Sequence, residues 1–146
     1  ENVSLVEPNE VRRDYIITRY DIHVIDPTHV SSGDDYDVVI DGVGYVSTRE
    51  QASEAVRPGG IIVHIGLGQD LGGLKIRRMT LQEITFTGTY TYTSQDFRDT
   101  AQAMIDGKLG DLSWTETRPL SHGAQAFQDI RSGTSQAPKI ILKPTY

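Results

Sequence analysis

The chain has 146 residues, with 14 Lys and Arg against 20 Asp and Glu, a net charge of −6 and a pI near 5.1. That length supports one domain with a real core, and the acidic balance excludes the basic footprint of a nucleic-acid binder. The sequence has no cysteine, which excludes a disulfide or a cysteine-ligated zinc within it; no signal peptide or membrane-length apolar run is evident, and a cytoplasmic location is expected.

Residues 3–6 read as a strand ending at Glu7-Pro8-Asn9. Asn9 is placed to cap a helix whose Val11, Tyr15, Ile16 and Tyr20 recur near helical spacing. His23-Val24-Ile25 is a short strand closed by Asp26-Pro27, and 28–35 is a polar loop. Within YDVVIDGVG (36–44), Val38, Val39 and Ile40 are apolar on both pleat faces. This is the pattern of a strand in a parallel sheet covered by helices on both sides. Asp41-Gly42-Val43-Gly44 breaks that strand, and Ser47-Thr48-Arg49-Glu50 has the spacing of a capping box before a helix with Ala52, Ala55 and Val56 inward. Arg57-Pro58-Gly59-Gly60 stops the helix; 61–65 is the next strand, ended by Gly66-Leu67-Gly68. Strand, helix, strand with Gly-rich exits predicts a parallel crossover and a largely parallel sheet.

Further on, Leu74 and Ile76 alternate with Lys75 and Arg77, an extended piece over 72–78, and 85–92 is Thr- and Tyr-rich and β-prone. Ser94 is read as the cap of an amphipathic helix carrying Phe97, Ala101, Met104 and Ile105, stopped at Gly107. A strand over 112–117, a helix capped by Ser121 that carries Ala124, Phe127 and Ile130 and stops at Gly133, and a strand over 139–142 complete the pattern.

Ligands of open α/β sheets sit at the carboxyl ends of the strands. The 41–44 corner is therefore expected to border a small-molecule site; a buried strand ending in a Gly turn with no ligand is the alternative. Glu7 ends its strand, with Arg12 five positions on. An acid there can hold the ribose hydroxyls of a dinucleotide, or serve only as a partner of the helix dipole. Gly66-Leu67-Gly68 with Gly72 and Gly73 is not a phosphate loop, which needs a helix opening directly on its glycines. Close approach of this backbone to a ligand is expected instead. His23, His29, His64 and His122 lack metal-ligand spacing, and His64, inside an apolar strand, is expected to be a hydrogen-bonded core residue. Tyr90 and Tyr92 alternate on a strand, and Trp114 is read as core.

Taken together, LVEPNEVRR (5–13), YDVVIDGVG (36–44), RPGGIIVHIGLG (57–68), LQEITFTGTYTYTSQDF (81–97), GKL (107–109) and KIILKP (139–144) resemble the zinc-type medium-chain alcohol dehydrogenases, polyol and threonine dehydrogenases included. The resemblance runs in order over nearly the whole chain but covers only the back part of such an enzyme. The N-terminal barrel with its zinc ligands and proton relay, and the first sheet strand with its Gly-rich phosphate loop, have no counterpart. The chain departs from the usual pattern at Arg19-Tyr20-Asp21, where relatives often carry a Gly.

The resemblance implies an α/β fold: a Rossmann-like, doubly wound parallel sheet lacking its first strand over 1–92, and over 93–146 a C-terminal segment that belongs with the catalytic domain. The absent strand would lie between those at 3–6 and 38–41. NAD is the implied cofactor, with zinc confined to the missing N-terminal catalytic domain. Glu7 would hold the adenosine ribose and Arg12 flank the adenine side. Asp41, Gly42 and Val43 would line the adenine crevice; Gly66, Leu67 and Gly68 would lie along the nicotinamide ribose; Thr89 and Tyr90 would approach the nicotinamide. No catalytic residue or metal ligand falls within the chain. Gly73, Leu74, Lys75, Ile76 and Arg77 match the segment that pairs across a two-fold axis, implying a homodimer. The implied activity is hydride transfer between an alcohol or polyol and NAD by the whole enzyme, the 146 residues alone being inactive. A zinc-free quinone-reductase relative and a nucleotide-binding module with no reaction of its own are the alternatives.

Overall fold

The computed structural model describes residues 2–30 and 36–144. In chain order they form β1 (Ser4–Val6), α1 (Glu10–Ile17), β2 (His23–Ile25), β3 (Tyr36–Asp41), α2 (Val46–Ala55), β4 (Val56–His64), α3 (Ile76–Leu81), β5 (Thr85–Gly88), α4 (Ser94–Ile105), β6 (Thr115–Pro119), α5 (Gly123–Ser132) and β7 (Lys139–Lys143), with single 3₁₀ turns at Pro27–His29 and Leu120–His122. The fold is α/β, and every strand pair among the described residues is parallel. Three separate sheets result: β1-β2, β3-β4-β5 and β6-β7. Of the expected loop over 28–35, residues 31–35 lie outside the described residues.

The chain divides into two compact units, one built from residues up to Thr28 with those from Thr93 onward, the other from His29–Tyr92. In the first unit Asn9 caps α1 as its sequence position suggests, its side chain accepting from the Arg12 N–H. The Asn9 amide also donates to the Gly133 carbonyl at 2.9 Å. Gly133 ends α5 in the left-handed region, at φ 73°. Arg118 on β6 pairs with Glu116 and with Asp129 of α5, both at 2.6 Å, tying helix to strand.

The core of the second unit is Ala52, Val56, Ile62 and Ile84, with Val39, Met79 and Phe86 packed against it. Val39 faces this core, while Val38 is 50% and Ile40 65% exposed. Within this unit α2 and the 79–86 segment pack on the Val39 side of β3.

The corrections are local. The capping box of α2 starts at Tyr45, whose N–H donates to the Thr48 hydroxyl, so Ser47 is already helical. β4 begins at Val56, because a register shift between Tyr36 and Val38 absorbs residues 57–60. The piece read as extended over 74–78 turns into α3 at Ile76: Arg78 donates to the Ser53 and Val56 carbonyls and Met79 reaches the core, contacts only a helix supplies. β5 stops at Gly88, so Tyr90 and Tyr92 lie beyond the strand and are exposed; Thr91 has φ 56°, outside β geometry. Thr93 rather than Ser94 caps α4, in a reciprocal box with Asp96. β6 sits later than expected and leaves Trp114 half-buried before it. A 3₁₀ turn occupies the place of the Ser121 cap.

On α5 the buried position is Ala126, while Phe127 is 74% exposed. A pair of truncations tests this core. Ile62→Ala should cost about 2–5 kcal/mol in urea unfolding, whereas Phe127→Ala should stay within about 0.5 kcal/mol. Comparable losses at the two positions would contradict the burial described.

Candidate functional site

The carboxyl ends of β3 and β4 lie side by side, Asp41 opposite His64. Beyond them the two turns touch through bare backbone. A Cβ on Gly44, which has φ 76°, would collide with the Gly66 carbonyl, and one on Gly66 would collide with the Val43 backbone. Gly68 N–H donates to Val43 O at 3.1 Å and Gln69 N–H to Gly44 O at 2.9 Å. The expected close approach at Gly66 and Gly68 is therefore met within the chain, to the facing turn and to the Tyr45 ring. Gly42 differs: a Cβ there would meet nothing within 4 Å, so the fold itself does not require glycine at this point of the rim.

Asp41 is 4% exposed and organises the first turn. One carboxylate oxygen accepts from the N–H groups of Val43 (3.0 Å) and Gly44 (2.9 Å), and the other lies 3.1 Å from His64 Nδ1. Burial alone would raise its carboxyl. The hydrogen bonds from Gly44, Val43 and Thr48, with the His64 charge, outweigh burial and hold it below the usual carboxylate range. Ionised Asp41 can only accept, so Nδ1 of His64 carries the proton. The His64 ring also lies 5.4 Å from that of Phe86; it is hydrogen-bonded as expected but half-buried and outside the core cluster.

Arg49, read from sequence only as part of a cap, is 5% exposed beneath both turns. Nε donates to Gly72 O (2.6 Å), Nη1 to Gly44 O (2.8 Å) and Gln69 O (2.9 Å), and Nη2 to Leu71 O (2.8 Å). Its signal was its place on the inward stripe of α2: residues 49, 52, 53 and 55 are the buried positions of that helix. A hollow of about 440 Å3 beside it is lined by His64, Gly66, Leu67, Leu74 and Phe86. A hollow of similar size along α3, lined by Lys75, Arg77 and Leu81, is away from the strand ends.

Glu7 and Arg12 form a cluster of their own in the first unit. Glu7 follows β1, its carboxylate accepting from the Asn9 N–H (2.9 Å) and from Arg12 Nη1 (3.2 Å). Arg13 donates to the Glu7 and Pro8 carbonyls and pairs with Asp26 at the end of β2 (2.9 Å). Arg12 Nε is buried with no hydrogen-bond partner.

Of the ten residues singled out from sequence, Asp41, Gly42, Val43, Gly66, Leu67 and Gly68 are brought together at the paired turns. Thr89 N–H donates to His64 O just past β5, and Tyr90 follows it, exposed. Val43 and Leu67 present exposed side chains. Among the described residues no three of His, Asp and Glu gather as metal ligands. No helix among them is long and apolar enough to cross a membrane.

The Asp41 network predicts a pH dependence. A carboxyl depressed in the folded state stabilises the fold above its unfolded value, near 3.8, and that contribution is lost as pH falls through the lower folded value. The stability difference between wild type and Asp41→Asn should be constant above about pH 5 and shrink below it. Asp41→Ala should cost about 1–3 kcal/mol for each N–H left unpaired. Urea unfolding across pH 3–7 measures both, and a difference that grows on acidification would contradict the network.

The profile of the zinc-binding dehydrogenase family matches residues 8–106. A probable D-xylulose reductase A of Arthroderma otae is 28% identical over 98 residues, which are 66% of this chain and 28% of that protein. The chain thus spans little more than a quarter of the curated relatives it matches. Among solved structures, acetophenone reductase from Geotrichum candidum in complex with NAD superposes with a TM-score of 0.79 at 20% identity, over 97% of this chain and 41% of that one. YhdH of Escherichia coli with bound NADPH gives 0.71 at 17% identity, over 95% and 46%. These likenesses carry the fold, and the match over 8–106 carries the family: this chain belongs to the zinc-binding dehydrogenases.

Proposed function

We propose that the chain is the cofactor-binding part of an oxidoreductase that transfers a hydride between an alcohol or polyol and NAD. The observation that carries this reading is the pair of abutting turns at the ends of β3 and β4, where Gly42 is free of any packing need for glycine. An open rim at the carboxyl ends of parallel strands is where such sheets take ligands. Asp41 holds the first turn from below, so Gly42 and Val43 can face the adenine. Gly66, Leu67 and Gly68 follow the nicotinamide ribose, and Thr89 and Tyr90 stand at the nicotinamide end. When bound, the dinucleotide supplies the hydride acceptor; the protein supplies its binding and orientation. No zinc donor set gathers among the described residues, the chain has no cysteine, and on this reading zinc belongs to the catalytic part of the whole enzyme. The 146 residues alone then have no turnover, and the whole enzyme works in the cytoplasm.

Glu7 is proposed to hold the adenosine ribose. A carboxylate accepts from both ribose hydroxyls but repels a 2′-phosphate, and close like charges cost several kcal/mol, with ~1.4 kcal/mol per tenfold in affinity. Arg13 is occupied by Asp26 and two carbonyls, so it does not compete. Arg12, already paired with Glu7, is the one feature that favours a phosphate. By calorimetry on the chain, ADP-ribose should bind more tightly than its 2′-phosphate, and Glu7→Ala should narrow the gap. A preference for the phosphate, or an unchanged ratio in the variant, would overturn the role of Glu7.

A homodimer through Gly73, Leu74 and Lys75, flanked by Ile76 and Arg77, is also proposed. These first three residues precede α3 and take no strand partner among the described residues. Lys75 is turned back onto Glu54 (3.1 Å) and so does not guard this stretch with a free charge. Leu74→Asp should shift the sedimentation coefficient from dimer to monomer; an unshifted dimer places the interface elsewhere.

A further inference from the structure

We infer that Arg49 is a positioning residue for the dinucleotide, fixing the turn that follows β4 against the turn that follows β3. This rests on the cofactor reading above. Its guanidinium reaches carbonyls on both sides of the rim: Gly44 on one, and Gln69, Leu71 and Gly72 on the other. Among the described residues no carboxylate pairs with it, so its buried charge is met only by carbonyl dipoles. Such a cation is an expensive way to fill space. The neighbouring inward positions of α2, Ala52, Ser53 and Ala55, are small and uncharged, so burial on this face does not itself call for a guanidinium. What an apolar residue cannot do is set a distance. A planar fork with fixed donor directions can, and a Lys ammonium on a flexible stem cannot replace it.

The two turns differ in what else holds them. Residues 41–44 are fixed from within by the Asp41 carboxylate. From Gly66 to Gly72 the Gln69 side chain accepts from the Val46 N–H at 2.7 Å, which ties the turn to the start of α2, and the Arg49 fork supplies three of the bonds that shape it. Removing Arg49 therefore loosens one half of the rim. Ligand that uses only the adenine half is spared; ligand that spans both halves is not.

The test uses the 146-residue chain with Arg49→Met and Arg49→Lys, probed with AMP and NADH. Binding of NADH should weaken at least about tenfold in both variants, with AMP affinity held within about twofold. Amide exchange at Gly68 and Gln69, whose N–H groups cross to the facing turn, should speed up, while Ile62 stays protected. The Ile62 amide reports whether each variant is folded; if Arg49→Met is not, Arg49→Lys carries the comparison. Equal losses for AMP and NADH mark general damage and overturn the positioning role. Unchanged exchange at Gly68 and Gln69 overturns it without touching the cofactor reading. A wild-type chain that binds neither nucleotide, with exchange altered in the variants, overturns the cofactor reading and the positioning role with it.

Discussion

Two main chains can run as close as those at Gly44 and Gly66 only where neither bears a side chain. That contact governs the second unit. It fixes how far β3 and β4 extend before their turns, since any Cβ at either glycine would push the strand ends apart. Close contact of this kind buries amides and carbonyls, which must then be paired. Asp41 answers the amides of one turn and Arg49 the carbonyls of both. An acid and a base, neither paired with the other, thus take opposite polar ends of the same backbone. Ser53, fully buried, links this arrangement onward by donating to the Arg49 carbonyl and accepting from the Lys75 N–H, where α3 begins.

Much of this was legible in the sequence because each signal was local. The apolar run at 38–40, the Gly exits and the Asn9 cap are properties of a few adjacent residues, and the strands and helices they imply are present. The α/β class and the parallel pairing followed from that alternation. What misled was pattern shorter than its period. Five residues from Leu74 to Arg78 fit an alternating strand as well as a helix, and only Ser53, Val56 and the core beneath Met79 decide between them. On α5, Phe127 was read from the spacing with Ala124 and Ile130, yet the buried position of that helix is Ala126.

The candidate site was legible in kind and not in detail. Glycines at strand ends were visible, but whether a glycine makes room for a ligand or for another backbone depends on the facing turn, more than twenty residues away in sequence. Gly66 and Gly68 turned out to make room for protein, and Gly42 did not. Arg49 was overlooked because a charged residue on an inward stripe reads as a surface residue out of phase. The roles of Arg12 and Arg13 were equally hidden. Their separation is decided by Asp26, which arrives at the end of the next strand and takes one of them.

The first unit is assembled from both ends of the sequence, and this dictates an order of events during synthesis. Asn9 donates to Gly133, 124 residues later, and at ~5–20 residues per second the ribosome needs roughly 6–25 s to deliver that partner. The second unit, continuous from His29 to Tyr92, has all its own contacts in hand well before then. Its completion divides the chain in time: β1, α1 and β2 emerge before it and close their unit after it, waiting for a segment not yet translated.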